Sequence, residues 1–298
     1  MVKTRARASR SDGLFNIVNN SCLLLVLIVI LYPLLYIISC SFSTSLAIYS
    51  GKVWIWPVGF NVTAYKEILE YKPVLTGYAN SILYTTVGTT INVICTIMAA
   101  YPLSRKDLVG RNLIMFIYTF TMVFSAGMIP TYLVVRDLGI LNTRWSLLIP
   151  QAVGVYYVII TRTFFQQNIP SDILDAARID GSDDIRFLLM IVLPLSSAVI
   201  AVITLFYAVF HWNAFFEAFI YLSERRLYPL QVFLREILIM NQIDSSMVVD
   251  PKAMQAREDL RELLKYALII VSTVPVLLLY PFVQKYIVKG VMVGSMKG

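Results

Sequence analysis

Long apolar stretches separated by shorter polar ones set the pattern of this chain. Six stretches, at residues 19–39, 77–101, 113–135, 145–165, 187–210 and 264–283, read as membrane-crossing helices. About 20 residues rising about 1.5 Å each are enough to cover the hydrocarbon of a bilayer. The first stretch, SCLLLVLIVILYPLLYIIS, contains no ionisable group, whereas the fourth is interrupted by Pro150, Gly154 and several polar side chains. Proline is tolerated inside such helices when neighbours satisfy the freed carbonyl, so Pro33, Pro150, Pro194 and Pro275 do not exclude these spans. The pattern predicts an all-α, polytopic membrane protein with six transmembrane helices.

Composition points the same way. Of 298 residues, 58% are hydrophobic and only 14% charged, against roughly half and a quarter in soluble domains. The net charge of +7 raises the question of nucleic acid. No basic patch interleaves with aromatics, so no nucleic-acid partner is expected, and basic ends flanking the spans explain the sign. Cys22, Cys40 and Cys95 lie in or beside apolar runs without metal-ligand spacing and read as small apolar fillers. The sequence Ile37-Ile38-Ser39-Cys40 loosely resembles a lipoprotein cleavage site, but the apolar run before it is too long for a signal segment.

Lysine and arginine near span ends set the orientation. The basic KTRARASR segment, the 104–111 connection and Lys285, Lys289 and Lys297 place both termini in the cytoplasm. The expected layout is a cytoplasmic tail at 1–18 and a single membrane domain at 19–298. Within that domain lie a polar cytoplasmic loop at about 166–190, a long external loop at about 212–261 and a C-terminal tail at about 285–298. In residues 254–265, MQAREDLRELLK reads as an amphipathic helix whose Leu260, Leu263 and Leu264 pack on their own protein rather than on a partner.

The polar loop is the most informative stretch. IPSDILDAARIDGSDDIRFLLMIVLPL places five aspartates between two apolar runs. Pro170 and Ser171 suit a helix start, with serine as cap and Asp172 at the positive end. Ile173, Leu174, Ala176 and Ala177 fall on one arc, with Asp172 and Asp175 opposite. Gly181 suits a left-handed stop, and Ser182, Asp183 and Asp184 suit the cap of the next helix. Two turns of helix are not stable alone in water, so such a stub needs a partner or a mount. The plainer alternative is an ordinary polar loop.

The spacing DAARIDGSDDIRFLLMIVLP resembles the EAA signature of ABC-importer permeases, with Asp175 in place of the usual glutamate. KVWIWPVGF, AAYPLSRKDLVGR, GMIPTYLVVRDLGILNT, RTFFQQNIPSDILDAARIDG, FHWNAFFEAFIYL and YPFVQKYIVKGVMVGSMKG extend the likeness over nearly the whole chain. Together they resemble the carbohydrate, MalG-like branch of these permeases, and within it the LplC/YtcP group. The resemblance implies that Asp175, Ala176, Ala177 and Gly181, flanked by Ile173, Leu174 and Arg178, form a coupling helix docked on an ATP-binding cassette subunit dimer. It also implies a second, different permease subunit and an extracytoplasmic sugar-binding protein that meets the 212–261 loop. The cargo would be a carbohydrate, and the membrane the bacterial plasma membrane. The tail residues Lys289, Gly290 and Lys297 would touch the ATPase subunits or, alternatively, anionic lipid headgroups.

No catalytic constellation is present: there is no HExxH, GxSxG or clustered Cys/His set. There is also no GxxxxGK[ST], so no cofactor is expected in this chain, and ATP with magnesium belongs to the partner ATPase. His211 has no carboxylate or second histidine near it in sequence, and no metal site is expected. Tyr156, Tyr157, Tyr207 and Trp212 are candidates for a sugar path, though the aromatic interface belt is the plainer reading of such residues and the one favoured. An ion-coupled secondary transporter of a small polar solute is the alternative class. It predicts ionisable groups deep in the spans, which hold essentially none away from their ends.

Overall fold

The structure is a computed structural model that describes residues 10–243 and 251–295. Its elements begin with α1 (Arg10–Ser41), α2 (Ser45–Tyr49), α3 (Thr63–Glu70), α4 (Lys72–Ser104), α5 (Arg111–Val123), α6 (Met128–Asp137) and α7 (Trp145–Leu148). They continue with α8 (Val155–Asn168), α9 (Ser171–Ile179), α10 (Asp184–Phe187), a π turn at Leu188–Val192 and α11 (Leu193–Leu195). The chain closes with α12 (Ser197–Trp212), α13 (Phe216–Tyr221), α14 (Leu230–Ile243) and α15 (Pro251–Ser295). There is no strand among the described residues. Where the sequence reads as one membrane domain, contacts divide the chain into two compact units, residues 1–70 with 240–271 and residues 71–239 with 272–298.

In the first unit, α1 runs unbroken through Pro33 and is long and apolar enough to cross a membrane. Its end is tied down by hydroxyls. Ser39 Oγ donates to the Ile55 carbonyl, Ser43 Oγ donates to the Ser39 carbonyl at 2.6 Å, and the Val58 amide donates to Ser43 Oγ at 3.0 Å. Phe42 stacks on Tyr65 at 5.0 Å and on Phe60 at 5.8 Å. The 254–265 stretch is the opening of α15 rather than a separate loop helix. Leu263 is buried in its own protein together with Ala267 and Leu268, and Tyr266 meets Tyr36 edge-on at 6.2 Å.

The second unit is organised by α4, which carries a buried polar and small stripe: Gly77, Asn80, Ser81, Gly88, Asn92 and Thr96. Small residues let helix backbones approach, and polar ones bond across. A methyl at Gly88 would lie 2.5 Å from the His211 ring of α12. His211 Nε2 pairs with Asn92 Oδ1 at 2.6 Å, so the lone histidine serves the α4–α12 contact. Further along, Asn80 donates to the carbonyls of Arg226 and Tyr228 at 2.7 and 3.0 Å, and Tyr84 donates to the Leu227 carbonyl at 2.7 Å. These bonds satisfy carbonyls of the connection between α13 and α14, which makes a single 3-10 turn at Arg225–Leu227.

Three of the six apolar stretches are bent or interrupted. Among the described residues two helices, Gly13–Ser41 and Lys72–Ser104, are long and apolar enough to cross a membrane, or up to four if each bent pair is one span. The third stretch breaks between α5 and α6 with a 115° bend. There Gly127 adopts φ 82° and ψ 178°, a conformation essentially closed to other residues. The fifth bends by 82° between α11 and α12. Pro194 removes a helix amide and crowds the carbonyl four residues back, and the π turn before it makes room. The fourth stretch is split by a non-helical segment between α7 and α8. Asn92 Nδ2 donates to the Gln151 carbonyl freed there, and the Gly154 amide donates to Tyr207 Oη at 3.1 Å. The sixth stretch falls inside α15, many of whose side chains lie outside the described residues. The 212–261 segment holds α13, α14 and the first turns of α15.

Candidate functional site

The polar block folds into a helix on a mount. Helix α8 ends because Ile169, preceding Pro170, is pushed to an extended conformation (φ −120°, ψ 95°). Helix α9 then starts at Ser171. Pro170 occupies the cap position and no side chain caps the helix, so the expected serine cap is not formed and Ser171 is the first helical residue. At the other end the expected left-handed stop is present, with Gly181 at φ +78°. The Ser182 amide donates to the Ala177 carbonyl at 2.9 Å, and the Gly181 amide to the Arg178 carbonyl at 3.0 Å. This 6→1 and 5→2 pair is a Schellman stop. Asp183 caps α10, accepting the Arg186 amide at 2.7 Å, and α10 leads directly into the π turn and the fifth apolar stretch.

The faces of α9 differ from the expected arc. Ala177 is only 7% exposed and packs in the core with Val158, Phe165, Phe187 and Val192, with half-buried Leu174 against the same cluster. Leu174 and Ala177 therefore face their own bundle, because they lie three residues apart on one side of the helix. Asp172, Ile173, Asp175, Ala176 and Ile179 are exposed. Ile179 is 86% exposed, and Ile185 on α10 is 69% exposed. Neither was among the candidate residues. The available signal was a large aliphatic side chain inside an otherwise polar block.

A cluster of charges holds α9 to its mount. Arg105, just beyond α4, donates to Asp107 from Nε at 3.1 Å and from Nη2 at 2.8 Å, and from Nη1 to Asp184 at 3.1 Å and to Tyr101 Oη at 3.0 Å. Arg178 of α9 donates to the same Asp107 at 3.0 Å. Arg178 is thus tied to the mount while about half of its side chain stays exposed. Two side chains of α8 reach the last carbonyls of α4: Arg162 Nε donates to Leu103 at 2.9 Å and Gln166 Nε2 to Ser104 at 3.4 Å. The forked guanidinium of Arg105 suits this work, since it satisfies several acceptors in fixed geometry. Sequence reasoning missed this cluster: Arg105 and Asp107 are two residues apart, but Arg105 meets Asp184 79 positions further along and Asp107 meets Arg178 71 positions further along.

Hydrogen bonding to Arg105, with help from Arg178, holds the Asp107 carboxyl well below the usual carboxylate range. The same pair raises the Arg105 guanidinium. An unfolded chain takes up the Asp107 proton near pH 4, about its ordinary value, while the folded chain resists it. The stabilisation is therefore present above that range and is lost as pH falls through it. Because Asp107 is about half exposed, its contribution is about 1 kcal/mol or less. The expected result is a steeper fall in thermal stability from pH 5 to pH 3 for the native chain than for Asp107→Asn. Parallel slopes would show that the clamp carries no net stability.

The aromatic candidates separate into two groups. Tyr207 is buried, sharing a 2.7 Å hydrogen bond with Thr96, and Trp212 is buried, donating to the Ser272 carbonyl at 2.8 Å. Both serve packing. Tyr157 is half-buried with its ring 4.5 Å from Tyr207, and Tyr156 is exposed. The side chain of Lys289 and the whole of Lys297 lie outside the described residues, and Gly290 lies within α15.

The family model described as "Binding-protein-dependent transport system inner membrane component" matches residues 92–293. The polygalacturonan/rhamnogalacturonan transport system permease protein YtcP of Bacillus subtilis (strain 168) is 41% identical over 288 residues, 96% of this chain and 99% of that protein. Protein LplC of the same organism is 40% identical over 266 residues, 89% of each chain. A crystal structure of a bacterial ABC transporter involved in the import of the acidic polysaccharide alginate contains a chain 37% identical to this one. The two superpose with a TM-score of 0.81, over 93% of this chain and 98% of that one.

Proposed function

The chain belongs to the family of binding-protein-dependent transport system inner membrane components, and from that premise we propose how its parts divide the work. It is a multi-pass transport subunit of an ATP-driven importer. In this reading it forms half of the translocation path beside a second, different permease. An extracytoplasmic binding protein delivers a carbohydrate, and a separate ATP-binding cassette subunit dimer hydrolyses the ATP. Both termini and α9 lie in the cytoplasm, and the outer face of α9 seats in a cleft of the ATPase. The cargo is an oligosaccharide. Oligomers of acidic sugars are the first to test, given that one relative is named for polygalacturonan and rhamnogalacturonan and another for alginate.

The observation that carries this reading is a short helix whose outer face is open while its inner face is fixed. Ala176 and Ile179 are exposed, whereas Ala177 is buried and Arg178 is held by the Arg105–Asp107 pair. A helix fixed this way transmits a push to α10 and the stretch beyond instead of yielding to it. The experiment is reconstitution in liposomes of the chain with its second permease, ATPase and binding protein. Uptake of an oligogalacturonide that requires both ATP and the binding protein is the expected result. Uptake by the chain alone under an ion gradient would overturn the assignment in favour of a secondary transporter.

A further inference from the structure

Beside α9, the second unit forms a half-open cavity of about 520 Å³. Its floor is apolar, made by Phe165, Leu174 and Phe187, and its walls carry four cations against two carboxylates. Two of the cations are already engaged: Arg105 and Arg178 both hold Asp107. Lys106 and Arg111 have no carboxylate partner among the described residues, and Arg111 is aimed by a single 3.2 Å bond to the Arg105 carbonyl. Pro170 and Ser171 also line the cavity, and the α9 terminus they form has no side-chain cap. First-turn amides and the helix dipole there add to the field of the two cations. Gln166 and Asp175 line the cavity too and offer acceptors for hydroxyls.

We propose that this cavity is a binding site for a small polyhydroxylated phosphate ester. Its phosphoryl group is held by Lys106 and Arg111 at the α9 terminus, and its hydroxyls by Gln166 and Asp175. The volume is in the range of small-molecule sites, and an apolar floor with a few convergent polar groups is their usual construction. Leu174, Asp175 and Arg178 line it from α9, whereas Ala176 and Ile179 do not. Occupancy ties the connection after α4 to the start of α9, so the ligand stiffens the segment through which the ATPase is read to act. That consequence rests on the docking reading; the binding itself does not. A free sugar phosphate and the headgroup of phosphatidylglycerol carry the same chemistry, and experiment separates them.

The test uses the full chain, without ATPase, in nanodiscs of phosphatidylcholine. One arm titrates glucose 6-phosphate with glucose as blank, and a second replaces part of the lipid with phosphatidylglycerol. Saturable thermal stabilisation by glucose 6-phosphate, absent with glucose, supports a soluble ligand. Saturable stabilisation by phosphatidylglycerol that abolishes the response to glucose 6-phosphate supports the lipid as source. In either case Lys106→Gln, at an exposed position that leaves folding intact, weakens apparent affinity about tenfold, and Arg111→Gln does the same. No response in either arm, or an unchanged response in Lys106→Gln, overturns the proposal. Because no ATPase is present, such a failure leaves the docking reading standing, and a failure of docking leaves this result untouched.

Discussion

Ile179→Arg is expected to abolish ATP-dependent uptake by the reconstituted importer while leaving the thermal unfolding of the chain alone unchanged. Ile179 is 86% exposed at the last turn of α9. Placing arginine there removes no contact from the core, and exposed substitutions of this kind usually change stability by about 0.5 kcal/mol or less. In a docked complex the same side chain would be desolvated. An unpaired charge in an interface core costs several kcal/mol, on the order of a hundredfold or more in affinity. Ala176→Arg should behave alike, being on the same outer face. Ala177→Arg is the contrasting variant. Ala177 is 7% exposed against Phe165 and Phe187, so a long cation there disrupts the mount and lowers the stability of the isolated chain. Co-purification of ATPase with each variant, beside its melting curve, separates the two outcomes. If Ile179→Arg co-purifies and transports normally, α9 is not the docking element.

Arg105→Lys is expected to uncouple hydrolysis from uptake, with assembly retained. One guanidinium gathers Tyr101 at the end of α4, Asp107 in the following connection and Asp184 at the start of α10, and Asp107 passes the link to Arg178 of α9. Lysine keeps the charge but has one nitrogen and a flexible stem, so it cannot hold three acceptors in this fork. Hydrogen bonds to charged groups contribute about 1.5–3 kcal/mol each when buried and less at this partly exposed cluster, so the loss in stability is about 1–2 kcal/mol. The larger effect is mechanical. A docked α9 whose mount has loosened absorbs part of each push, and ATP consumed per oligosaccharide imported rises several-fold. Measuring both rates in the same liposomes reads this directly. An unchanged ratio would show that the mount transmits through packing at Ala177 alone.

Much of this molecule is legible in the sequence, because apolar run length and hydrogen-bond demand are local properties. The helical class, the membrane setting, the α9 stub, its glycine stop and the aspartate cap of α10 follow from residue type and spacing. Where runs break was less legible. Gly154 already marks an interruption in the sequence, whereas Gly127 looks tolerable inside an apolar stretch and yet takes a positive-φ, extended backbone.

The sequence by itself determined that a short polar helix with a fixed stop stands between two apolar stretches, since caps, stops and hydrophobic runs act over a few residues. Only the tertiary structure decided which way that helix faces. Ala176 and Ala177 are chemically identical neighbours about 100° apart on the helix, and their roles part because Phe165 and Phe187 cover one of them. The same holds for Arg105, which the fold brings to Asp184, 79 positions along the chain. Electrostatic and packing partners are chosen by distance in space, which periodicity along a chain does not encode.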